Sequence, residues 1–299
     1  MKKTVAAVVV TYNRKALLLE NIAALLAQTK AELLDIVVVD NASTDGTAEA
    51  LAPHIEAGEI IYRNTGSNLG GAGGFQYGIR YAGEQGYEFI WVMDDDCIPN
   101  PDALEQLLLS HEKLEGKYGY LSSKVLWKDG NICQMNVQRR TLTKNVEDFE
   151  SELVPITMAS FVSMFMQVST VREVGLPIKE FFIWTDDWEY TRRISKKYPC
   201  YLANGSVVVH KSAVNIGANI EVDDEARLDR YRLRYRNDLY LYRQEGFKGF
   251  VYGTCRLGLH TMRVLLKAKS KRWKRIKMVW GGTKDGLKFK PEIEYIEDK

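Results

Sequence analysis

"VAAVVVTYNRKALLLENIAALLAQTKAELLDIVVVD", residues 5–40, decides the fold. Both ends are short runs rich in Val, Ile and Ala with no polar alternation, the pattern of strands buried on two faces. Between them, "RKALLLENIAALLAQT" (14–29) repeats its apolar residues with helical spacing, so an amphipathic helix links two strands. The alternation then continues. "STDGTAEALAPHI" (43–55) reads as a helix opened by a Ser/Thr/Asp cap, "GEIIYRN" (58–64) as a third strand, "GGFQYGIRYAGEQ" (73–85) as a helix and "YEFIWVMD" (87–94) as a fourth strand. Strands alternating with helices predict an α/β protein with a doubly wound, mostly parallel sheet that binds its ligand at the carboxyl ends of the strands.

Outward from this core the pattern changes. "DALEQLLLSHEKLE" (102–115) predicts a helix ending near Gly116, and residues 118–210 mix short strands with one polar helix, "DDWEYTRRISKKY" (186–198). From about 223 the chain turns helical and basic. No linker-like composition separates these parts, so they are expected to form one continuous catalytic domain, 1–222, with halves 1–116 and 117–222, followed by a basic helical region, 223–299.

Composition narrows the class. The 299 residues are 45% hydrophobic and 27% charged with a formal net charge of +2, ordinary for a globular chain and no sign of nucleic-acid binding. Cys97, Cys133, Cys200 and Cys255 lie far apart with no CxxC pair, which fits reduced thiols better than a disulfide framework or a zinc site. The apolar run after "MKKT" is short, β-branched and lacks a small-residue cleavage site, so it reads as a strand rather than a leader. No run approaches the roughly 18 apolar residues of a membrane span. A cytoplasmic protein, peripheral on the inner face of the cell membrane, is the expectation.

Chemistry gathers at the strand ends. "VMDDDCIPNP" (92–101) places Asp94, Asp95 and Asp96 side by side, where like charges repel. A divalent cation such as Mg²⁺ or Mn²⁺ relieves that repulsion; the blander reading is a solvated turn before a helix. "FFIWTDDWEYTRRI" (181–194) sets Asp186, Asp187 and Glu189 between Trp184 and Trp188, suiting a general base beside a surface for sugar rings, or equally an acidic first helical turn over core tryptophans. His210 ends "SVVVHK" as a structural histidine or a third metal ligand. The glycines of "NTGSNLGGAGGFQYGIR" (64–80) allow close backbone approach to a ligand, or merely a tight connection; no GK[ST] makes this a P-loop.

Taken in order, "VVVTYNR", "VVVDNASTDGT", "NLGGAGGF", "WVMDDD" and "WTDDWE" resemble family 2 of the GT-A inverting glycosyltransferases over roughly residues 4–215. The resemblance implies Asp187 as catalytic base. It implies a nucleotide site of Thr11, Tyr12, Asn13, Arg14, Asp40, Asn68, Gly70, Gly71, Gly74, Arg80, Asp94 and Asp95, with Asp40 accepting from the base imide. Asp94, Asp96 and His210 would hold Mn²⁺ or Mg²⁺, and Trp184, Asp186, Trp188 and Glu189 would meet the acceptor. Asn41 stands where many members carry a second Asp. "GGAGGF", the full triplet and "YRLRYRNDLYLY" (231–242) look most like bacterial galactofuranosyltransferases and rhamnosyltransferases. The implied donor is UDP-galactofuranose, with dTDP-rhamnose as the alternative, and the implied acceptor a glycan or lipid-linked glycan of cell-surface polysaccharide.

Two other readings compete less well. A nucleotidyltransferase would want a Gly-rich basic loop after the first strand, which "TYNRKA" does not supply, and a non-enzymatic binding module has no use for both acidic clusters. The basic stretch "FKGFVYGTCRLGLHTMRVLLKAKSKRWKRIKMVW" (247–280) has helical apolar spacing and suits an anionic membrane surface, with a packed helix or a homo-oligomer contact as the alternatives.

Overall fold

The computed structural model describes residues 3–297. Four parallel strands carry the first third: β1 (Val5–Thr11), β2 (Leu34–Asp40), β3 (Ile60–Asn64) and β4 (Phe89–Asp94). Helices α1 (Lys15–Leu26), α2 (Thr47–Glu56) and α3 (Gly70–Gln85) connect them. β1 shows why its residues have no polar alternation. Ala6, Val8 and Val10 pack under α3 with Phe75 and Ile79, while Val5, Ala7 and Val9 pack on the other face with Leu18, Ile22 and Leu25 of α1. The two-residue period of a strand sends successive side chains into two separate cores.

The expected helix starts need two corrections. Asp45 does not cap α2; its carboxylate accepts from the Lys15 N–H that opens α1, and Gly46, in the left-handed conformation, precedes α2. The glycines of 70–74 are not a loop: α3 begins at Gly70 and contains them. Their reason is packing. A Cβ on Gly74 would stand 2.6 Å from Val10 Cγ1 and one on Gly78 2.3 Å from Val8 Cγ1, so the helix lies on β1 only because neither has a side chain.

The chain then crosses into a mixed half without leaving the sheet. β5 (Cys97–Pro99), α4 (Ala103–Lys113), β6 (Leu121–Trp127), β7 (Leu153–Ile156), β8 (Met164–Gln167), α5 (Val168–Val174), α6 (Asp186–Ser195) and β9 (Cys200–His210) follow. The strand order is β3-β2-β1-β4-β8-β6-β9-β5, with β7 on β9. β8 runs antiparallel to both β4 and β6, so one nine-stranded sheet spans residues 1–116 and 117–222 alike.

Three helices finish the fold: α7 (Arg230–Arg243), α8 (Gly246–Lys267) and α9 (Arg272–Lys288). They share a core of Leu228, Tyr231, Tyr235, Val264, Met278 and Val279. Residues after α9 return to the sheet domain, where Glu294 pairs with Arg80 and Lys179 and Ile296 occupies space that any side chain on Gly83 would take. The basic region is thus packed on the sheet domain at two places. Among the described residues no helix is long and apolar enough to cross a membrane.

Candidate active site

The carboxyl ends of β1 and β4 meet where the acidic triplet lies. β5 turns back beside β9 with Cys97 opposite His210, and this register carries His210 to the triplet. One ligand atom each of Asp94, Asp96 and His210 falls within 4.8 Å of the others. His210 Nε2 lies 3.1 Å from Asp96 Oδ1, a buried oxygen with no hydrogen bond of good geometry. On the far side of the ring, Nδ1 donates to Asn136 Oδ1 at 2.7 Å, which fixes the imidazole and leaves Nε2 facing the carboxylates.

Charge in this cluster is unbalanced. Burial, and then the Asp96 charge, raises Asp94 to about 7. Burial raises Asp95 to about 6 against the pull of Arg14. Burial opposes a charged imidazole at His210, yet its close contact with Asp96 and the two carboxylate charges raise it to about 10. Two carboxylates and an imidazole nitrogen form a donor set that suits Mn²⁺ or Mg²⁺, and the orphaned Asp96 oxygen fits that use. Arg14 pairs with Asp95 and Asp96, while Thr11 Oγ1 donates to Asp95 Oδ2 at 2.7 Å. Asp95 thereby ties β1 to β4 and orients its neighbours.

Asp40 ends β2 fully buried, accepting from Ser43 N–H at 2.8 Å and from Tyr62 Oη–H at 2.7 Å. Tyr12 stands exposed at the β1 end, one residue past Thr11, which pairs with Asp40 across the sheet, and Asn13, with φ of 53°, accepts from Thr44 N–H. Asn41 donates to the Gly70 carbonyl and Asn68 accepts from Gly70 N–H, so both shape the start of α3. Gly70 has φ of 72°, and a Cβ there would come 2.1 Å from the Phe182 carbonyl; Gly71 lines the cavity.

That cavity, about 440 Å³, holds Asp94 and His210 together with Asp186, Asp187 and Trp188 from α6. Asp187 is pushed well above the ordinary carboxylate range by burial and the Asp186 charge, with Asp94 adding to it. Burial raises Asp186 to about 6. Trp184 packs on Tyr231 of α7 at 5.0 Å between ring centres, and the Arg139 guanidinium lies 4.2 Å over Trp188.

The backbone leading into α6 is held in an unusual shape. Phe182, Trp184 and Thr185 have φ of 63°, 67° and 69°, a conformation costly for non-glycine residues. Asn237 of α7, fully buried, places Nδ2 at 3.0, 3.1 and 2.9 Å from the carbonyls of Phe181, Ile183 and Trp184. Asp238 accepts from Thr185 Oγ1 at 2.7 Å. α7 is thus part of the site's frame.

Two expected site residues go elsewhere. Arg80, ten residues into α3, is engaged by Glu294 and the Tyr295 carbonyl, so it secures the C-terminal segment. Glu189 turns away from the cavity into a two-pronged pair with Arg193, both contacts 3.0 Å, which also binds the Val174 and Leu176 carbonyls. Conversely Asn136, Arg139, Arg234, Asp238 and Arg256 line the cavity; Arg234 and Asp238 lie in "YRLRYRNDLYLY" and Arg256 in the basic stretch, but their residue pattern did not place them here, and no local motif marked Asn136 or Arg139.

Residues 6–151 match the model of glycosyl transferase family 2. Galactofuranosyltransferase GlfT1 of Mycobacterium tuberculosis (strain ATCC 25618 / H37Rv) is 31% identical over 212 residues, 65% of this chain and 65% of its own length. Low-salt glycan biosynthesis hexosyltransferase Agl10 of Haloferax volcanii is 24% identical over 276 residues, 88% of this chain and 79% of its own. The chain thus spans just under two thirds of GlfT1. Among solved structures, GalNAc-T7 with UDP, GalNAc and Mn²⁺ aligns over 95% of this chain and 58% of its own at a TM-score of 0.66 and 14% identity. Mannosyltransferase PcManGT from Pyrobaculum calidifontis, in complex with GDP-Man and Mn²⁺, aligns over 96% and 74% at 0.55 and 15%; both are likenesses of fold. Sheet, cavity and matches agree: residues 6–151 form a glycosyl transferase family 2 domain, and the fold is that of the GT-A glycosyltransferases.

Proposed function

We propose that this chain is an inverting, divalent-metal-dependent glycosyltransferase that moves galactofuranose from UDP-galactofuranose to a hydroxyl of a glycan or lipid-linked acceptor. The observation that carries the reading is one cavity holding both Asp94 with His210 and, across from them, Asp187 with Asp186. The likeness to GlfT1 supports the donor sugar.

Asp187 takes the proton of the acceptor hydroxyl, whose oxygen attacks the anomeric carbon opposite the departing nucleotide. A single displacement needs no enzyme nucleophile, so inversion follows. Trp188 offers a flat apolar face to a sugar ring. Asp40 and Tyr12 are the base-recognising pair, and Asp94, Asp96 and His210 are the residues that would hold the cation. Bound there, Mn²⁺ or Mg²⁺ would supply positive charge to the donor diphosphate and offset the carboxylate repulsion that adds to burial in raising Asp94 and Asp187.

α8 supports a place on an anionic membrane. Among its 22 described residues only Gly249 and Val264 are buried, and Phe247, Phe250, Met262 and Leu266 are more than half exposed. Phe250, Met262 and Leu266 lie within, and Phe247 just before, a run with no acidic residue from Lys248 to Lys284.

The test is calorimetry with UDP and dTDP, in Mn²⁺ and again in EDTA. Metal-dependent binding that prefers UDP supports the UDP-linked donor, and a dTDP preference moves the donor to rhamnose. No binding of either by folded protein would overturn the reading. Asp187→Asn should abolish transfer while UDP binding stays within a few-fold; unchanged turnover would remove Asp187 as the base.

A further inference from the structure

A second cavity, of about 490 Å³, opens beside the first and shares its Arg139, Trp188, Gly217, Ala218, Arg234 and Arg256 wall. It lies among α7, α8 and residues 217–221, none of which the transfer chemistry uses. Four guanidinium groups, from Arg139, Arg234, Arg256 and Arg263, line it. Only two carboxylates answer them: Asp238, which Arg256 meets at 3.1 Å and Arg234 at 3.9 Å, and Glu221, which makes no ion pair among the described residues. Arg139 Nε is buried without a hydrogen-bond partner, and exposed Arg263 has no ion pair or hydrogen bond among the described residues.

His260 adds a neutral donor. Tyr235 Oη–H and His260 Nδ1 are 2.7 Å apart; with Nδ1 accepting, Nε2 carries the ring's hydrogen. Burial, then Arg256, Arg234 and Arg263, lower its pKa to about 4, as expected where the surrounding field is positive despite Asp238.

Resting on the reading of Asp187 as the base of an acceptor-directed transfer, we propose that this cavity seats a phosphate or diphosphate group of the acceptor, held by Arg263, Arg256 and Arg139 with His260. Guanidinium forks converging from several directions match a tetrahedral anion with many acceptor oxygens. The shared wall then sets the geometry: the sugar hydroxyl to be glycosylated reaches Asp187 while the charged end of the same molecule stays behind Trp188. Leu259 lines the outer side and Met262 and Leu266 stand exposed on the same helix, so a lipid carrier is the favoured source of the phosphate.

The experiment uses the full chain in EDTA, titrated by calorimetry with inorganic pyrophosphate and with farnesyl diphosphate. Both should bind, and Arg263→Ala, a change at an exposed position, should weaken each at least tenfold. UDP binding in Mn²⁺ should stay within twofold of the unsubstituted chain. Tighter binding of farnesyl diphosphate than of pyrophosphate assigns the phosphate to a lipid carrier; equal binding keeps the seat and removes the lipid. Failure of pyrophosphate to bind a sample that still takes UDP with Mn²⁺ overturns the seat, as does binding that both Arg263→Ala and Arg256→Lys leave unchanged. A sample that takes pyrophosphate in EDTA but no nucleotide diphosphate in Mn²⁺ retains the seat and defeats the transferase reading instead.

Discussion

Replacing Asn237 by alanine should release the segment that carries Asp187. Three residues of that segment, Phe182, Trp184 and Thr185, hold positive φ angles, at about 1 kcal/mol each or roughly 3 in all. Against this stands the Asn237 amide. The Phe181 carbonyl keeps the Ile183 N–H at 2.7 Å when the amide goes, but Ile183 and Trp184 lose the partner that holds each of their oxygens. Two part-buried carbonyls left without that partner cost about 2 kcal/mol each, roughly 4 in total. The clamp therefore exceeds the strain by only about 1 kcal/mol. Without it the segment favours a relaxed path by about 3 kcal/mol, which leaves the working arrangement below about 1% populated. Hydrogen exchange at residues 182–189 should rise about sixfold in Asn237→Ala, since the relaxed fraction goes from roughly 15% to about 99%. Nucleoside diphosphate release from the sugar donor should fall about a hundredfold, with UDP binding retained because Asp40 and the triplet stand on other elements. Global stability should drop by no more than about 4 kcal/mol, since the loop relaxes instead of the domain unfolding. Native-like exchange at 182–189 together with turnover within threefold of the original would refute the reasoning.

Other expectations follow from the same structure. Asp96→Asn should remove most Mn²⁺-dependent nucleotide binding, read by calorimetry, because it takes away a buried oxygen that faces His210; retention of full affinity would show that the cation is held elsewhere. Gly74→Val should destabilise the protein by several kcal/mol in chemical denaturation, since even a Cβ would press against Val10 Cγ1 at 2.6 Å, and an unchanged midpoint would contradict the close seating of α3. His260, lowered to about 4 by burial and nearby arginines, gives a pH signature. Between its unfolded value near 6.5 and about 4, the unfolded chain binds the proton and the folded chain does not, so this contribution is present above 6.5 and is lost as pH falls through that window. The lowering converts to roughly 3 kcal/mol, and solvent access to the cavity reduces it to about 2. The stability difference between the original chain and His260→Gln should therefore shrink by about that amount from pH 7 to pH 4, and a flat difference would place His260 in solvent.

Much of this protein was legible in its residues. The four parallel strands announce themselves because a strand covered on both faces must be apolar throughout, and β1 feeds two cores at once. The acidic triplet stood out because carboxylates do not gather at a buried strand end without a charge to answer them, and "TDDWE" because its carboxylates lie between two tryptophans. The glycines of 70–74 were visible, but the pattern left ligand approach and a tight connection both open. Their partners, Val10 and Phe182, lie far away in sequence, so the pattern alone could not separate close helix packing from ligand approach. Arg80 and Glu189 were misplaced for the same reason, since a charged side chain's role depends on which opposite charge the fold brings to it. The tertiary structure alone decided the rest. Pairing of β5 with β9 brings His210 to Asp94 and Asp96 across more than a hundred residues, and α7 supplies Asn237 and Asp238 to a loop some fifty residues earlier. Local pattern writes secondary structure because backbone hydrogen bonding and side-chain periodicity act over a few residues. A site assembled from distant elements is written only in their packing, where burial turns an ordinary Asn or Arg into a clamp.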